Sequence, residues 1–211
     1  MPRALAGYGI FFRQFIQRYH TTGAVMPSGR PLAAALCRYV GGAPGPQRIL
    51  EVGPGVGAVT MTLVERMRDD DDLCLVEINE MFVAYLQEAF KERPQLRSKA
   101  PRVALVHGRV EDLSREGYDL IISGLPLNNF TAPEVDRILH GFARLLKPGG
   151  VLSFFEYIAV RSAKTWVSLP KERERLRAVD AVLRRALDAT EFRRDWVWPN
   201  VPPAWVHHLR F

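Results

Sequence analysis

Acidic residues and closely spaced glycines form the part of this sequence best suited to bind a ligand. Glu51, Gly53, Gly55 and Gly57 lie in the run EVGPGVG, directly after a short apolar segment. Glycines at a strand-to-helix turn let backbone N–H groups approach a ligand with no side chain between them. Glu77 follows Gly57 by 20 residues and ends a second apolar segment, where a carboxylate can accept hydrogen bonds from both hydroxyls of a ribose. The spacing therefore predicts a cofactor that contains a nucleoside.

Details of the glycine run separate two kinds of cofactor. Gly53, Gly55 and Ala58 also fit the G-x-G-x-x-A pattern of dinucleotide-binding proteins. Glu51, however, suits a cationic ligand that carries an amino acid better than a pyrophosphate. Pro54 removes one of the backbone donors that a pyrophosphate would use. We therefore favour an amino-acid-bearing cofactor over a nicotinamide dinucleotide.

Alternating apolar strands and amphipathic helices must position these residues. The alternation predicts an α/β fold with a doubly wound, mostly parallel sheet covered on both faces. The last two strands are expected to form an antiparallel hairpin at the sheet edge. The seven predicted strands are residues 48–52, 73–78, 103–107, 118–123, 150–157, 193–198 and 204–210. The predicted helices are residues 31–40, 58–68, 80–93, 133–146 and 173–189.

The N-terminal segment has a different pattern. Residues 8–19 have helical spacing, with one apolar face flanked by Arg13 and Arg18. The apolar face consists of Tyr8, Phe11, Phe12, Phe15, Ile16 and Tyr19. Such a face is typical of a helix that lies on an anionic membrane, although packing against its own domain remains an alternative. A cluster of glycines and prolines at 41–46 predicts a boundary between an N-terminal extension (1–46) and a cofactor-binding domain (47–211). The extension is expected to dock on a membrane and to cover the cofactor.

Residues 48–160 resemble the class I S-adenosylmethionine-dependent methyltransferases. The likeness rests on the glycine run, on Glu77 and on the LLKPGG segment before the fifth strand. It implies that Gly53, Gly55 and Gly57 line the methionine part of the cofactor, with Glu51 near its amino group. It further implies that Glu77 holds the ribose and that Ile78 packs on the adenine. Arg109 and Val110 occupy the positions of an adenine-contacting pair, without the acid usual there.

The segment after the fourth strand is where this family places the methyl acceptor. Ser123, Gly124, Leu125 and Pro126 replace the N-P-P-[FY] tetrapeptide of enzymes that methylate adenine. This segment is similar to that of bacterial phospholipid N-methyltransferases, which are relatives of the ribosomal adenine dimethylases. Residues 22–28, 155–157 and 202–206 extend the likeness over nearly the whole chain.

The resemblance implies N-methylation of phosphatidylethanolamine towards phosphatidylcholine at a membrane surface. Ser123, Gly124, Leu125 and Tyr157 are then the predicted acceptor-side residues. Tyr19 and Tyr157 could each bind a phosphate or face a methylated ammonium by cation–π attraction. Ornithine-lipid methylation, rRNA adenine N6-dimethylation and a non-catalytic lipid-binding module are the alternatives, and a nicotinamide reductase is the least favoured.

Charge and composition indicate where this protein acts and which partners it binds. The chain has 29 Lys and Arg against 23 Asp and Glu, for a net charge of +6, which favours polyanionic partners. Cys37 and Cys74 have no disulfide-framework spacing, and no apolar run is long enough to span a bilayer. We therefore expect a cytoplasmic monomer that is peripheral on the inner face of the cell membrane and binds no nucleic acid. His107, His140, His207 and His208 lack metal-ligand spacing, so no metal is expected.

Overall fold

The structure is a computed structural model that describes residues 29–114, 117–158, 170–198 and 203–211, with residues 170 and 171 described for their backbone alone. The predicted amphipathic helix at residues 8–19 lies outside the described residues, as does the 22–28 segment. The predictions for Tyr8, Phe11, Phe12, Arg13, Phe15, Arg18 and Tyr19 therefore remain predictions.

Seven strands form one mixed sheet in the order β3-β2-β1-β4-β5-β7-β6. The strands are β1 (Arg48–Val52), β2 (Asp72–Glu77), β3 (Val103–His107), β4 (Tyr118–Ser123), β5 (Leu146–Tyr157), β6 (Glu191–Val197) and β7 (Ala204–Arg210). β1 to β5 are parallel, whereas β7 runs antiparallel to both β5 and β6. This arrangement confirms the predicted doubly wound sheet and its antiparallel edge hairpin.

Six helices cover the sheet within the described part of the chain. They are α1 (Gly29–Leu36), α2 (Ala58–Arg66), α3 (Glu80–Glu92), α4 (Pro94–Lys99), α5 (Ala132–Leu145) and α6 (Pro170–Thr190). Short 3₁₀ turns follow β3 at Val110–Asp112 and β4 at Leu127–Asn129. None of these helices is long and apolar enough to cross a membrane.

Two apolar clusters, one on each face of the sheet, hold the layers together. Ile49 and Leu50 of β1 are fully buried, and they belong to opposite clusters. A strand that is buried on both faces reads as a continuous apolar run, which is why RILEV identifies β1 from sequence. Side chains of α1, α2, α3 and α4 belong to one cluster, and those of α5 and α6 to the other.

The described part of the predicted extension packs into this core. Leu36 and Cys37 are buried in the same cluster as Ile49 of β1. The helix ends at Leu36 rather than at residue 40, and turns lead to Gly41, whose φ is +72°. Residues 29–40 are thus structurally part of the domain.

β5 is the strand whose predicted bounds differ most from the structure. It begins at Leu146, four residues before the predicted start at 150. Leu146 pairs with Tyr118 of β4, and the register shifts before Leu120 pairs with Val151. The glycines of LLKPGG are typical of a loop. The strand nevertheless continues through them, because Leu146 pairs with β4 and the shift in register accommodates the extra residues.

Candidate cofactor and acceptor site

The loop between β1 and α2 needs its glycines for their backbone conformation. Gly53, Gly55 and Gly57 have φ values of +69°, +56° and +80°, a region that other residues rarely adopt. At Gly53 an added Cβ would also lie 2.9 Å from Leu125 Cδ2. The glycine loop is therefore both left-handed and closely packed against the segment after β4.

Gly124 brings the predicted acceptor segment against this loop. Its N–H donates to the carbonyl oxygen of Val52 at 2.8 Å. A Cβ at Gly124 would lie 2.7 Å from the carbonyl oxygen of Gly53, which is a backbone atom with little freedom to move. The residues predicted to hold the cofactor and the acceptor are consequently adjacent, as methyl transfer between two bound molecules requires.

Glu77 ends β2 beneath the same loop. Its two carboxylate oxygens accept hydrogen bonds from the N–H groups of Gly55 at 3.1 Å and Asn79 at 2.9 Å. Burial raises the pKa of Glu77, although these hydrogen bonds partly oppose the shift. Each oxygen keeps a further lone pair for a ribose hydroxyl. Only 5% of Glu77 is exposed, so its carboxylate is fixed before a ligand arrives.

Glu51 provides a buried carboxyl oxygen that has no partner. Thr60 Oγ1 donates to Glu51 Oε2 at 2.8 Å, but Oε1 is buried and accepts no hydrogen bond. Burial raises the pKa of Glu51 to about 8, since the Thr60 hydrogen bond offsets it only in part and Glu77 adds to it. An unpaired buried carboxyl is costly, and a ligand ammonium would relieve that cost. The unpaired oxygen of Glu51 is thus chemically suited to a ligand ammonium, and its contact with the amino group of S-adenosylmethionine stays a prediction.

A cavity of about 410 Å³ opens beside the glycine loop. This volume lies within the usual range for a small-molecule site. It brings together seven of the residues predicted from sequence, namely Gly53, Glu77, Ile78, Arg109, Val110, Gly124 and Leu125. Glu51, Gly55 and Gly57 are not among its lining residues. They support it from the loop and from the strand beneath.

The cavity lining is acidic. Its charged residues are Glu77, Glu80, Glu111, Glu134 and Arg109. Arg109 donates to Glu111 at 2.7 Å, so this pair contributes little net charge. Glu134 is held ionised because the Thr131 backbone N–H lowers its pKa and the Thr131 hydroxyl adds to that effect. The lining therefore favours a cationic ligand such as S-adenosylmethionine, which carries a sulfonium and an ammonium.

Two of the predicted acceptor-side residues do not line this cavity. Ser123 is fully buried, and its Oγ accepts the N–H of Leu125 at 3.3 Å, which orders the start of the segment. Tyr157 ends β5, where its ring packs edge-on against Phe155 at 4.9 Å. Burial raises the pKa of Tyr157. Ser123 thus supports the segment that lines the cavity, and the acceptor-side role of Tyr157 stays a prediction.

Sequence reasoning missed the residues that form the far wall of the cavity. These are Phe130, Glu134 and Ile138. The signal for their position was a capping box, T-x-x-E, in which Thr131 and Glu134 begin α5. That box fixes the start of α5 beside the β4 segment and so directs Glu134 and Ile138 to the cavity.

Arg175 of α6 binds backbone carbonyl groups in the segment after β4. Its guanidinium donates to the carbonyl oxygens of Asn128, at 2.9 Å, and of Phe130, and it pairs with Glu172 at 2.7 Å. The sequence of α6 is rich in arginine, a composition typical of a solvated helix face. Arg175 instead holds a wall of the cavity in place.

Comparisons with known proteins identify the family. The sequence profile described as "Methyltransferase domain" matches residues 49–150. A protein of Mycobacterium ulcerans (strain Agy99), provisionally named an O-methyltransferase, is 30% identical over 178 residues, which cover 78% of this chain and 73% of that protein. The chain belongs to the S-adenosylmethionine-dependent methyltransferases. The cofactor predicted from the glycine loop and Glu77 is the cofactor of this family.

Two further matches show the extent of the likeness. A Mycobacterium avium (strain 104) methyltransferase, also provisionally named for O-methylation, is 33% identical over 135 residues, which are 62% of this chain and 55% of that protein. The chain thus matches little more than half the length of this relative. The N-methyltransferase NodS of Bradyrhizobium japonicum WM9, solved with S-adenosyl-L-homocysteine, superposes with a TM-score of 0.62 at 18% identity, covering 87% of each chain. This structural likeness shows the methyltransferase fold.

Membership of the family leaves the methyl acceptor open. The curated relatives are named for O-methylation, whereas the sequence resemblance implied N-methylation of a phospholipid. The described residues contain no cluster of three or more His, Cys, Asp or Glu side chains that could hold a metal ion.

Proposed function

We propose that this protein transfers a methyl group from S-adenosylmethionine to the amine of a membrane aminophospholipid, converting phosphatidylethanolamine towards phosphatidylcholine. The observation that carries the proposal is the composition of the cavity lining, which is acidic and, among the residues that the structure describes, includes no histidine, lysine or cysteine. Acidic walls attract a head group that arrives as an ammonium. The ammonium becomes a nucleophilic amine once it passes one proton to solvent water, so transfer to it needs a weaker base than transfer to a hydroxyl does.

The described residues would have separate roles in such a reaction. When bound, S-adenosylmethionine supplies a methyl group on a sulfonium. Glu77 would hold the ribose, and Glu51 would stabilise the ammonium of the methionine part. Gly124 and Leu125 bring backbone groups against the glycine loop, where carbonyl oxygens can orient the hydrogens of an amine. Leu125 and Phe130 add apolar walls that keep water from the acceptor.

O-methylation of a small hydroxylated molecule is the second candidate, because the curated relatives are named for it. A hydroxyl group requires a base to remove its proton during transfer. Glu134 lines the cavity at the start of α5, but its carboxylate accepts both the N–H and the hydroxyl of Thr131, and its pKa is lowered. A carboxylate stabilised in this way is a weak base. The site therefore supports an amine acceptor better than a hydroxyl acceptor.

The test supplies the purified chain with methyl-labelled S-adenosylmethionine and detergent micelles of phosphatidylethanolamine, ornithine lipid or phosphatidylglycerol. Mass spectrometry should show mono-, di- or trimethylated phosphatidylethanolamine and no methylated phosphatidylglycerol, which offers hydroxyls only. Glu77→Ala is the variant expected to lose product, and Glu88→Ala, an exposed residue of α3, is its control. Methylation of ornithine lipid alone, or of hydroxylated compounds alone, would overturn the phosphatidylethanolamine assignment.

A further inference from the structure

Three tryptophans gather at one end of the β6–β7 hairpin. The Trp196 ring lies 5.9 Å from that of Trp198 and 6.5 Å from that of Trp205. Trp196 is 66% exposed and Trp198 is 70% exposed. Exposed indole rings in mutual contact are unusual on a surface that faces only water, where large apolar patches are rare. We call this group the tryptophan edge.

The tryptophan edge lies on the side of the sheet where the cavity opens. β6 runs parallel to β5, because β7 is antiparallel to both strands. The carboxyl end of β6, with Trp196, therefore lies at the same side as the carboxyl ends of β1, β2 and β4, from which the cavity loops emerge. Trp205 pairs with Trp196 on one side and with Glu156 of β5 on the other.

Exposed apolar side chains are concentrated at this carboxyl side. The described residues include five large hydrophobic side chains that are exposed, namely Ile78, Met81, Phe192, Trp196 and Trp198. Four of them follow or end a strand at the carboxyl side. Phe192 is the exception, at the opposite end of β6. Most of the exposed large hydrophobic side chains among the described residues thus lie at the side of the sheet where the cavity opens.

The chemistry of the tryptophan edge matches an anionic lipid surface. The Arg194 guanidinium lies 5.3 Å over the Trp205 ring and is 45% exposed. Indole rings favour the boundary between lipid headgroups and acyl chains. The Arg194 guanidinium pairs with Glu191 at 2.6 Å, and its exposed part can also contact a lipid phosphate. The net charge of +6 draws the whole chain to the same surface.

We infer that the tryptophan edge docks on an anionic bilayer and turns the cavity towards the lipid headgroups. This inference rests on the proposed aminophospholipid substrate, since it supplies the route by which a lipid amine reaches the site. It concerns residues other than the predicted N-terminal helix and requires no contribution from that helix.

The experiment measures co-sedimentation of the full chain with vesicles of phosphatidylglycerol and phosphatidylcholine in equal parts. The double variant Trp196→Ser/Trp198→Ser should bind at least about tenfold more weakly than the wild type, and Trp196→Phe/Trp198→Phe should retain most of the binding. Phe192→Ser is the matched control, because it removes an exposed aromatic from the same strand at the opposite side. It should bind vesicles as the wild type does.

Two further measurements, of cofactor affinity and of methylation in micelles, separate a loss of docking from unfolding and from a loss of activity. Cofactor affinity by calorimetry should be unchanged in both double variants, which excludes general unfolding. Methylation of phosphatidylethanolamine in micelles tests the proposed function without docking, so the two claims fail separately. Equal vesicle binding by the serine variant and the wild type would overturn the inference. So would a wild-type dimer that the serine variant converts to a monomer, because the tryptophan edge would then contact a second copy of the chain.

Discussion

Glu51 and Glu77 show how similar buried carboxyl groups acquire different properties. Glu77 accepts two backbone N–H hydrogen bonds, one at each carboxylate oxygen, and these partly offset the rise in pKa that its burial causes. Glu51 has one oxygen bonded to Thr60 and one without a partner, and its pKa rises to about 8. Glu77 is therefore positioned to accept hydrogen bonds from a neutral ribose, whereas the unpaired oxygen of Glu51 favours the approach of a cationic ligand group.

Replacing Glu77 tests the ribose contact. Glu77→Ala should lose two hydrogen bonds from a charged acceptor to the cofactor, each worth about 1.5–3 kcal/mol. Calorimetric titration with S-adenosyl-L-homocysteine should therefore show weaker binding by a factor of at least about 100. Glu88→Ala on the exposed side of α3 should bind normally. Unchanged affinity in Glu77→Ala would place the cofactor elsewhere.

The raised pKa of Glu51 predicts a pH dependence of stability in the absence of cofactor. Between pH 4.5 and about 8 the folded protein holds a proton that the unfolded chain releases. The free energy of unfolding should therefore fall as pH rises through this range, by at most about 1.4 kcal/mol per pH unit, and then level off. Glu51→Gln cannot titrate and should lack this component. Chemical denaturation from pH 5 to 8.5 should show a growing advantage of the variant, and parallel curves would contradict the assignment.

At the scale of elements, α6 stabilises the acceptor side of the site through Arg175. The predicted helix is present, and its bounds are three residues earlier at the start and one later at the end. Its role depends on one side chain that reaches two carbonyl oxygens in the Leu127–Asn129 turn and at Phe130. A surface helix thereby controls the geometry of a loop that is far from it in sequence.

Arg175→Ala should loosen that loop without unfolding the helix. Amide exchange at Asn129 and Phe130, whose N–H groups donate to Pro126 and Leu127, should become faster by roughly tenfold or more. The cost in stability should be about 1–3 kcal/mol, typical of carbonyl groups that lose a charged donor. Arg184→Ala is the control, because Arg184 pairs only along α6 with Asp180 among the contacts described. Equal exchange in both variants would remove the positioning role of Arg175.

At the scale of the whole molecule, charge and exposed apolar groups point to one surface. The net charge of +6 gives long-range attraction to an anionic bilayer, and apolar insertion supplies a part that salt does not screen. The N-terminal helix predicted at residues 8–19 and the tryptophan edge would act as separate contacts.

Phe12→Ser/Phe15→Ser tests the N-terminal contact. Loss of two inserted aromatic side chains should abolish or strongly reduce sedimentation with anionic vesicles, at about 25 cal/mol per Å² of apolar area removed from water. Cofactor affinity should stay nearly the same. Raising the salt concentration should weaken wild-type binding only in part. If residues 8–19 pack on the domain instead, the variant will lose thermal stability and keep its vesicle binding, which a melting curve run in parallel will reveal.

Local sequence patterns were enough to predict the sheet and the glycine loop, and the family resemblance of those patterns indicated the cofactor. Continuous apolar runs such as RILEV define strands buried on both faces, and glycines at positive φ are required wherever a loop must curve around a ligand. β1, β3, β4 and β7 accordingly have the predicted bounds. These features depend on local pattern, so they can be deduced without knowledge of long-range contacts.

Which side chains contact one another depends on long-range packing, which the sequence patterns did not reveal. The pairing of Leu146 with Tyr118 extends β5 through a glycine-containing loop pattern, and Arg175 bonds carbonyl oxygens 45 and 47 residues away. The orphaned oxygen of Glu51 and the far wall of the cavity also arise from elements distant in sequence. Contacts of this kind depend on how layers pack, and neither periodicity nor residue type encodes the distance between two side chains.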